Sequence, residues 1–110
     1  MKLPSDVIIP DAKISQYLLI HRKQDDKSKF LAQGGFTQDN SEQLKQAILE
    51  LIQTEEVIED SSNQYGIFYR VEGNLKGINR NLAVVTIWLE RAIDKKIQFI
   101  TLKPKKEKKS

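Results

Sequence analysis

The residues best suited to chemistry lie in the second half of the chain. Leu82 to Glu90 reads Leu-Ala-Val-Val-Thr-Ile-Trp-Leu-Glu, an almost continuous apolar run of strand length. Alternate residues of a strand point to opposite faces, so Leu82, Val84, Thr86 and Trp88 form one set and Ala83, Val85, Ile87 and Leu89 the other. The second set is wholly aliphatic and is expected to face the helices. Thr86 and Trp88 are then left on an open face, with Tyr or Arg side chains from the neighbouring strand beside them. Such a face could stack a base and contact a phosphate. It could equally be the plain outer face of a sheet, or the docking surface of a protein partner, since Trp, Tyr and Arg are the usual interface anchors. The residue types leave all three open.

Lys27 and Lys29 follow Asp25-Asp26 near an expected helix start, where a lysine and free N–H groups could meet a phosphate. The aspartates weaken that attraction, and a capped, solvated helix end is the plainer account. His21 is the only histidine, so a Ser-His-Asp site could be built only around it. It stands beside Arg22 and Lys23, which oppose protonation and do not orient the ring. With no cysteine in the chain, disulfides, Cys-ligated metals and thiol nucleophiles are excluded, and the lone histidine excludes a His-rich metal cluster. Gly34-Gly35 lacks the preceding strand and the wider glycine spacing of a phosphate-binding loop. No cofactor is expected.

The elements that must position these groups can be read from periodicity. Pro10 and Asp11 suit a helix start, and Ile14, Tyr17 and Leu18 predict a short helix from about 11 to 20. A second short helix is capped by Asp25 or Asp26, runs through Gln33 with Phe30 and Leu31 inward, and stops at Gly34-Gly35. The third starts at Asn40, which has capping-box spacing to Gln43, and gathers Leu44, Ala47, Ile48, Leu51 and Ile52 on one face. After Thr54 the period changes to two. Val57-Ile58 forms a short strand and Asp60 to Asn63 a turn. Tyr65 to Glu72 is a strand with Ile67, Tyr69 and Val71 on one face and Phe68 and Arg70 on the other. Gly73 to Asn81 is a hairpin connection, Leu82 to Glu90 the central strand, and Ile97 to Leu102 the last. Three helices followed by three or four strands argue for α+β, with the helices packed on one face of an antiparallel sheet.

The 110 residues fit one domain, assigned to residues 1–102, with 103–110 as a disordered lysine-rich tail. Removing the five Lys and one Glu of the tail from 18 basic and 15 acidic residues leaves 13 and 14. The net +3 of the whole chain thus becomes −1 for the body, so the basicity belongs to the tail. No segment has the apolar length to cross a bilayer, and the N-terminus lacks a signal-peptide core, so a cytoplasmic protein without membrane contact is expected.

Six stretches also carry a resemblance. They are Asp11-Ala-Lys13-Ile-Ser-Gln-Tyr17-Leu-Leu19, Asp26-Lys27-Ser-Lys-Phe-Leu-Ala-Gln-Gly-Gly35-Phe-Thr37, Tyr65-Gly66-Ile-Phe-Tyr69, Leu75-Lys-Gly77-Ile-Asn79, Val85-Thr86-Ile-Trp88 and Lys96-Ile-Gln-Phe-Ile-Thr101-Leu. In this order they resemble an uncharacterised bacterial domain family, common in cyanobacteria and related to C-terminal domains of polymorphic toxins in the barnase/EndoU/colicin/RelE-like group. The resemblance implies metal-independent RNA cleavage, by attack of a ribose 2′-hydroxyl on the adjacent phosphate, on an open sheet face. Lys27 and Arg70 would stabilise the phosphorane, Tyr69 or Thr86 would move protons or hold the phosphate, and Lys29, Trp88 and Thr101 would contact RNA or a partner. It also implies a small neutralising protein encoded nearby. The alternative is a non-enzymatic interaction module using the same sheet face. Asp25-Asp26 stand where the toxin relatives carry His and Gly, and Arg80 where they carry a hairpin Gly.

Overall fold

The structure, a computed structural model, describes residues 2–4, 6–14 and 27–105, the side chain of Lys27 excepted. Helix α1 (Lys27–Ala32) and helix α2 (Ser41–Thr54) precede strands β1 (Val57–Asn63), β2 (Gly66–Leu75), β3 (Leu82–Arg91) and β4 (Ile97–Pro104). The sheet has the order β1-β2-β3-β4 with every neighbouring pair antiparallel. The fold is α+β, as expected. Two helices are present among the described residues rather than three, since most of the helix expected over 11–20, and the Asp25/Asp26 cap, lie outside them.

Helix α1 stops where the glycine pair predicts. Gly35 adopts φ +93°, the Phe36 N–H donates to the Leu31 carbonyl at 3.1 Å, and the Gly35 N–H to the Ala32 carbonyl at 2.9 Å. This is the left-handed glycine cap that satisfies the last carbonyls of a helix. The next glycine pairing is tertiary. The Asn79 N–H donates to the Gly34 carbonyl at 3.0 Å, and a Cβ on Gly77 would sit 2.6 Å from that same oxygen. Two of the resembling stretches therefore meet backbone to backbone, with Arg80 Nη2 donating to Gln33 Oε1 alongside at 3.1 Å.

The apolar face of α2 is as its spacing predicts: Leu44, Ala47, Ile48, Leu51 and Ile52 are buried. Its N-terminus differs. Asn40 precedes α2 but makes no cap to it, because a 3-10 turn (Gln38–Asn40) draws its side chain backwards. Asn40 Oδ1 accepts from the Thr37 N–H at 2.7 Å and Nδ2 donates to the Gly35 carbonyl at 2.8 Å, so the residue ties two turns together.

Strand β1 does not turn at Asp60 but continues to Asn63, with an irregularity between Glu59 and Ser61; the turn is Gln64-Tyr65. As an edge strand with six exposed residues out of seven, it tolerates the polar Asp-Ser-Ser-Asn run that a central strand would not. Strand β4 reaches Pro104, and the Lys105 N–H donates to the Ala83 carbonyl at 2.9 Å. The far edge of β4 is covered by the N-terminal segment. There the Ile8 N–H donates to the Ile97 carbonyl and the Phe99 N–H to the Ile8 carbonyl, each at 2.8 Å.

One core unites the layers. Tyr69, Val71, Leu75, Leu82, Val84, Trp88, Ile97, Phe99 and Leu102 from the sheet pack with the α2 face and with Leu31, Phe36, Ile14, Ile9 and Leu3. No helix among the described residues is long and apolar enough to cross a membrane.

Candidate functional site

The facing of β3 decides where a site can lie, and it is the reverse of the expectation. Leu82, Val84, Thr86 and Trp88 are buried, whereas Ala83, Val85, Ile87 and Leu89 are half-buried on the other side. Register gives the reason. Trp88 lies opposite Tyr69 on one side and Phe99 on the other, and Thr86 opposite Val71 and Leu102. These are the large apolar neighbours that close the core, and side chains directly opposite in a sheet share a face. Both halves of the β3 alternation are apolar, so the strand's own pattern could not choose between them.

Trp88 and Thr86 are each 0% exposed. The Trp88 and Phe99 rings meet edge to face at 5.3 Å and 73°. Trp88 Nε1 donates to Thr86 Oγ1 at 2.8 Å, and Thr86 Oγ1 donates to the Val71 carbonyl at 3.0 Å. The polar atoms of this pair are thereby satisfied inside the core, and no face of the indole is open to a base. Tyr69 is 7% exposed on the same face. Burial pushes its phenol above the usual tyrosine range, with the carboxylates of Glu90 and Glu59 adding to the rise.

Arg70 points the other way. Its guanidinium lies between Glu72, with Nε 2.8 Å from Oε2 at an angle outside hydrogen-bond geometry, and Asp60, with Nη1 3.7 Å from Oδ1. Lys105 Nζ adds a contact to the second Glu72 oxygen at 3.5 Å. Thr101 lies opposite Ile87, on the same outer side as Arg70. Lys29 is exposed on α1, lining a hollow with Ser28, Phe36 and Thr37, and Lys27 opens the same helix. His21 lies outside the described residues. The four residues expected to act together thus divide: Tyr69 and Thr86 face the core, Arg70 faces out, and Lys27 belongs to another element.

The outer sheet face brings together different residues. Phe68, Arg70, Glu72 and Asn74 from β2 stand beside Leu89, Ile87, Val85 and Ala83 from β3. Ile58, 45% exposed, flanks Arg70 from β1. The apolar strip Val85-Ile87-Leu89 with Phe68 continues at one end into a hollow of about 460 Å³ lined by Gln64, Tyr65, Leu89, Arg91, Ala92 and Ile93. Tyr65 is 65% exposed there and Ile93 89%. The Ala92 N–H donates to the Tyr65 carbonyl at 2.9 Å, which joins the β1–β2 and β3–β4 turns into one end of the molecule. Of these positions, Val85, Ile87 and Leu89 belong to the aliphatic half of the β3 alternation, which the sequence pattern turns toward the helices and the structure turns outward.

Residues 2–106 match a family described as a domain of unknown function (DUF6883). No curated protein and no solved structure matches the chain.

Proposed function

Because the chain belongs to the DUF6883 family, whose description carries no activity, we propose from the geometry that it is a protein-interaction module working through the outer face of its sheet. The observation that supports this reading is the apolar strip of Phe68, Val85, Ile87 and Leu89, continued by Tyr65 and Ile93, on the face away from the core. Fully burying an exposed side chain of this size contributes roughly 1.5–3 kcal/mol, and Phe68, Val85, Ile87 and Leu89, already half-buried on the sheet, contribute correspondingly less. A partner that covers four or five of them gains enough to offset the cost of association only if it presents a complementary apolar surface. The charges at the other end are already paired among Arg70, Asp60, Glu72 and Lys105, and so add orientation more than attraction.

The resemblance to toxin-end domains supplies a specific partner, a small neutralising protein encoded next to this one. Co-expression of the two and purification through a tag on either one tests the reading. A stable complex that is lost on Ile87→Arg, with the melting temperature of the variant unchanged, is the expected result. Two proteins that elute separately would count against that partner.

Ribonuclease activity is the competing reading, and it rests on the sequence resemblance alone. It predicts growth arrest and RNA cleavage on induction, abolished by Lys27→Ala. Full growth with intact RNA at high expression would remove it. Since Tyr69 and Thr86 face the core, loss of cleavage on substituting either counts as catalytic evidence only where the fold is shown to survive.

A further inference from the structure

The charges of the chain are segregated, and the fold turns that segregation into two halves of one molecule. Residues 41–75 hold two cations against seven carboxylates, whereas residues 76–105 hold seven cations against two. The first stretch is α2, β1 and β2, and the second is β3 and β4 with the connection leading into them. Because the strand order follows the sequence, the acidic half lies at the β1 side of the sheet and the basic half at the β4 side. A net charge near zero conceals this polarity.

The basic half borders the apolar strip of the outer face. Gln98, Thr101 and Lys103 of β4 lie opposite Leu89, Ile87 and Val85 of β3, so a polar row ending in lysine runs beside the aliphatic one. Strand β4 carries no carboxylate. Lys103 is exposed and, among the described residues, has no ion-pair partner. At the far end Arg91 Nη1 donates to Gln98 Oε1 at 3.4 Å, and Lys95 and Lys96 are exposed on the turn. The carboxylates near the strip are already engaged: Asp60 and Glu72 at Arg70 on the β2 side, and Asp94 at Arg91. The strip is therefore flanked by cations along β4.

From this arrangement we infer that the partner seated on the outer face is an acidic amphipathic helix. It lies along β3, with its apolar stripe on Val85, Ile87, Leu89 and Phe68 and its carboxylates along β4. The inference rests on the reading of this face as a protein-interaction surface and names the chemistry of the partner. Strand β3 is paired on both edges, which leaves its face and not its backbone to a partner. From Val85 to Leu89 the aliphatic row spans about 14 Å, at roughly 3.4 Å per residue. A helix of about nine residues has that length and an equally narrow apolar stripe, whereas a second sheet would need apolar rows on several strands. A basic helix would bring like charge against Lys103 and the turn lysines. The row is aliphatic with Phe68 as its one ring, and a nucleic acid seated here would find few aromatic platforms for its bases.

Two fluorescein-labelled peptides of about 18 residues test the inference by anisotropy against the full chain. Both are helix formers with Leu at i, i+3, i+4 and i+7 spacing; one carries Glu along a flank and its twin carries Gln there. In about 50 mM NaCl the Glu peptide is expected to bind about tenfold more tightly than its twin, and the gap to narrow in about 500 mM NaCl. Lys103→Glu should weaken the Glu peptide about five- to tenfold and leave the Gln peptide unchanged. Lys76→Glu makes the same charge change beside Glu50 on the α2 side and should alter binding of either peptide less than about twofold. Ile87→Asn should weaken both peptides, with unfolding curves of every variant as the control for folding.

Equal binding of the two peptides, lost on Ile87→Asn, overturns the acidic partner and leaves the interaction module standing. Binding of the Glu peptide that ignores Ile87→Asn overturns the seat on the strip. A single-stranded oligouridine that binds through Lys103 more tightly than the Glu peptide would make the partner a nucleic acid and overturns the inference as well. If neither peptide binds, the helix is overturned, and the module then stands only on a neighbour complex that is lost on Ile87→Arg.

Discussion

Trp88 Nε1 and Thr86 Oγ1 lie 2.8 Å apart inside the core, and the threonine passes its own hydrogen on to the Val71 carbonyl of the neighbouring strand. The pair satisfies the polar atoms of the inward row of β3, and that row is inward because the large apolar residues Tyr69, Val71, Phe99 and Leu102 lie opposite it on the neighbouring strands.

The first prediction concerns this pair. Thr86→Val keeps the shape but leaves Trp88 Nε1 buried without an acceptor, at an expected cost of about 1–3 kcal/mol. Trp88→Ala opens a cavity and should cost about 3–5 kcal/mol. In a denaturant double-mutant cycle, Thr86→Val should cost less in the Trp88→Phe background, where no indole N–H is left to satisfy. Equal cost in both backgrounds would mean that the hydrogen bond contributes nothing. Weakened partner binding in Trp88→Ala is expected to follow from lost folding, so it does not locate the interface.

The second concerns the outer face. Ile87→Arg should leave stability within about 1 kcal/mol, because the added charge reaches solvent from a half-buried position. Val84→Arg, three residues earlier on the inward row and 0% exposed, should prevent folding. Thermal melts of the two variants decide it. Similar melting temperatures would contradict the facing of β3.

The third is alkaline. In the folded protein the Tyr69 phenol titrates above its unfolded range, through burial first and then through Glu90 and Glu59. The unfolded chain therefore loses this proton at lower pH than the folded one. Its contribution is fully present below the unfolded tyrosine range near pH 10 and declines as pH rises from there toward the folded value. Tyr69→Phe should flatten this part of the alkaline stability profile while leaving its shape near neutrality unchanged. A profile that falls equally steeply in the variant would assign the decline to other groups.

The fourth separates the tail from the strand. Deleting 106–110 should leave the melting temperature unchanged. Deleting 103–110 also removes the pairing of Lys103 with Val85 and of Pro104 with Val84, and the Lys105 bond to Ala83, so it should lower the melting temperature. The shorter deletion is thus the proper control for charge. RNA binding that disappears with it, and that weakens steeply with salt beforehand, would belong to the lysines of the tail.

The fifth tests the turn at the exposed end. Gly66 adopts φ +145°, and a Cβ on it would meet the Glu90 carbonyl oxygen. Gly66→Ala should cost about 1–3 kcal/mol and shift Tyr65, whose carbonyl anchors Ala92. Unfolding curves measure the first effect. Amide chemical shifts at Tyr65 and Ala92 measure the second, and unchanged values at both would contradict the tie between the turns.

Local chemistry was enough for several elements. The i, i+3, i+4 spacing of Leu44, Ala47, Ile48, Leu51 and Ile52 specified α2 and its buried face, and Gly35 specified the end of α1, because helical periodicity and left-handed backbone are properties of neighbours in the chain. The same holds for Ile67, Tyr69 and Val71 on one side of β2 and Phe68 and Arg70 on the other, because successive side chains of a strand point to opposite faces. Asn40 was legible as a helix-start residue, but its actual partners, Thr37 and Gly35, were not.

What remained for the tertiary structure was the choice between two apolar rows on β3, and with it the location of any site. Periodicity divides Leu82 to Arg91 into two sets but carries no sign when both are hydrophobic. The sign comes from register across strands far apart in sequence: Tyr69 and Phe99 flank Trp88, Val71 accepts from Thr86, and the larger row is drawn into the core. Ile87 and Leu89 are left outside with Phe68 and Arg70. A hydrogen-bonded tryptophan and an exposed one look alike in a sequence, and only the packing of the other strands decides which one this is.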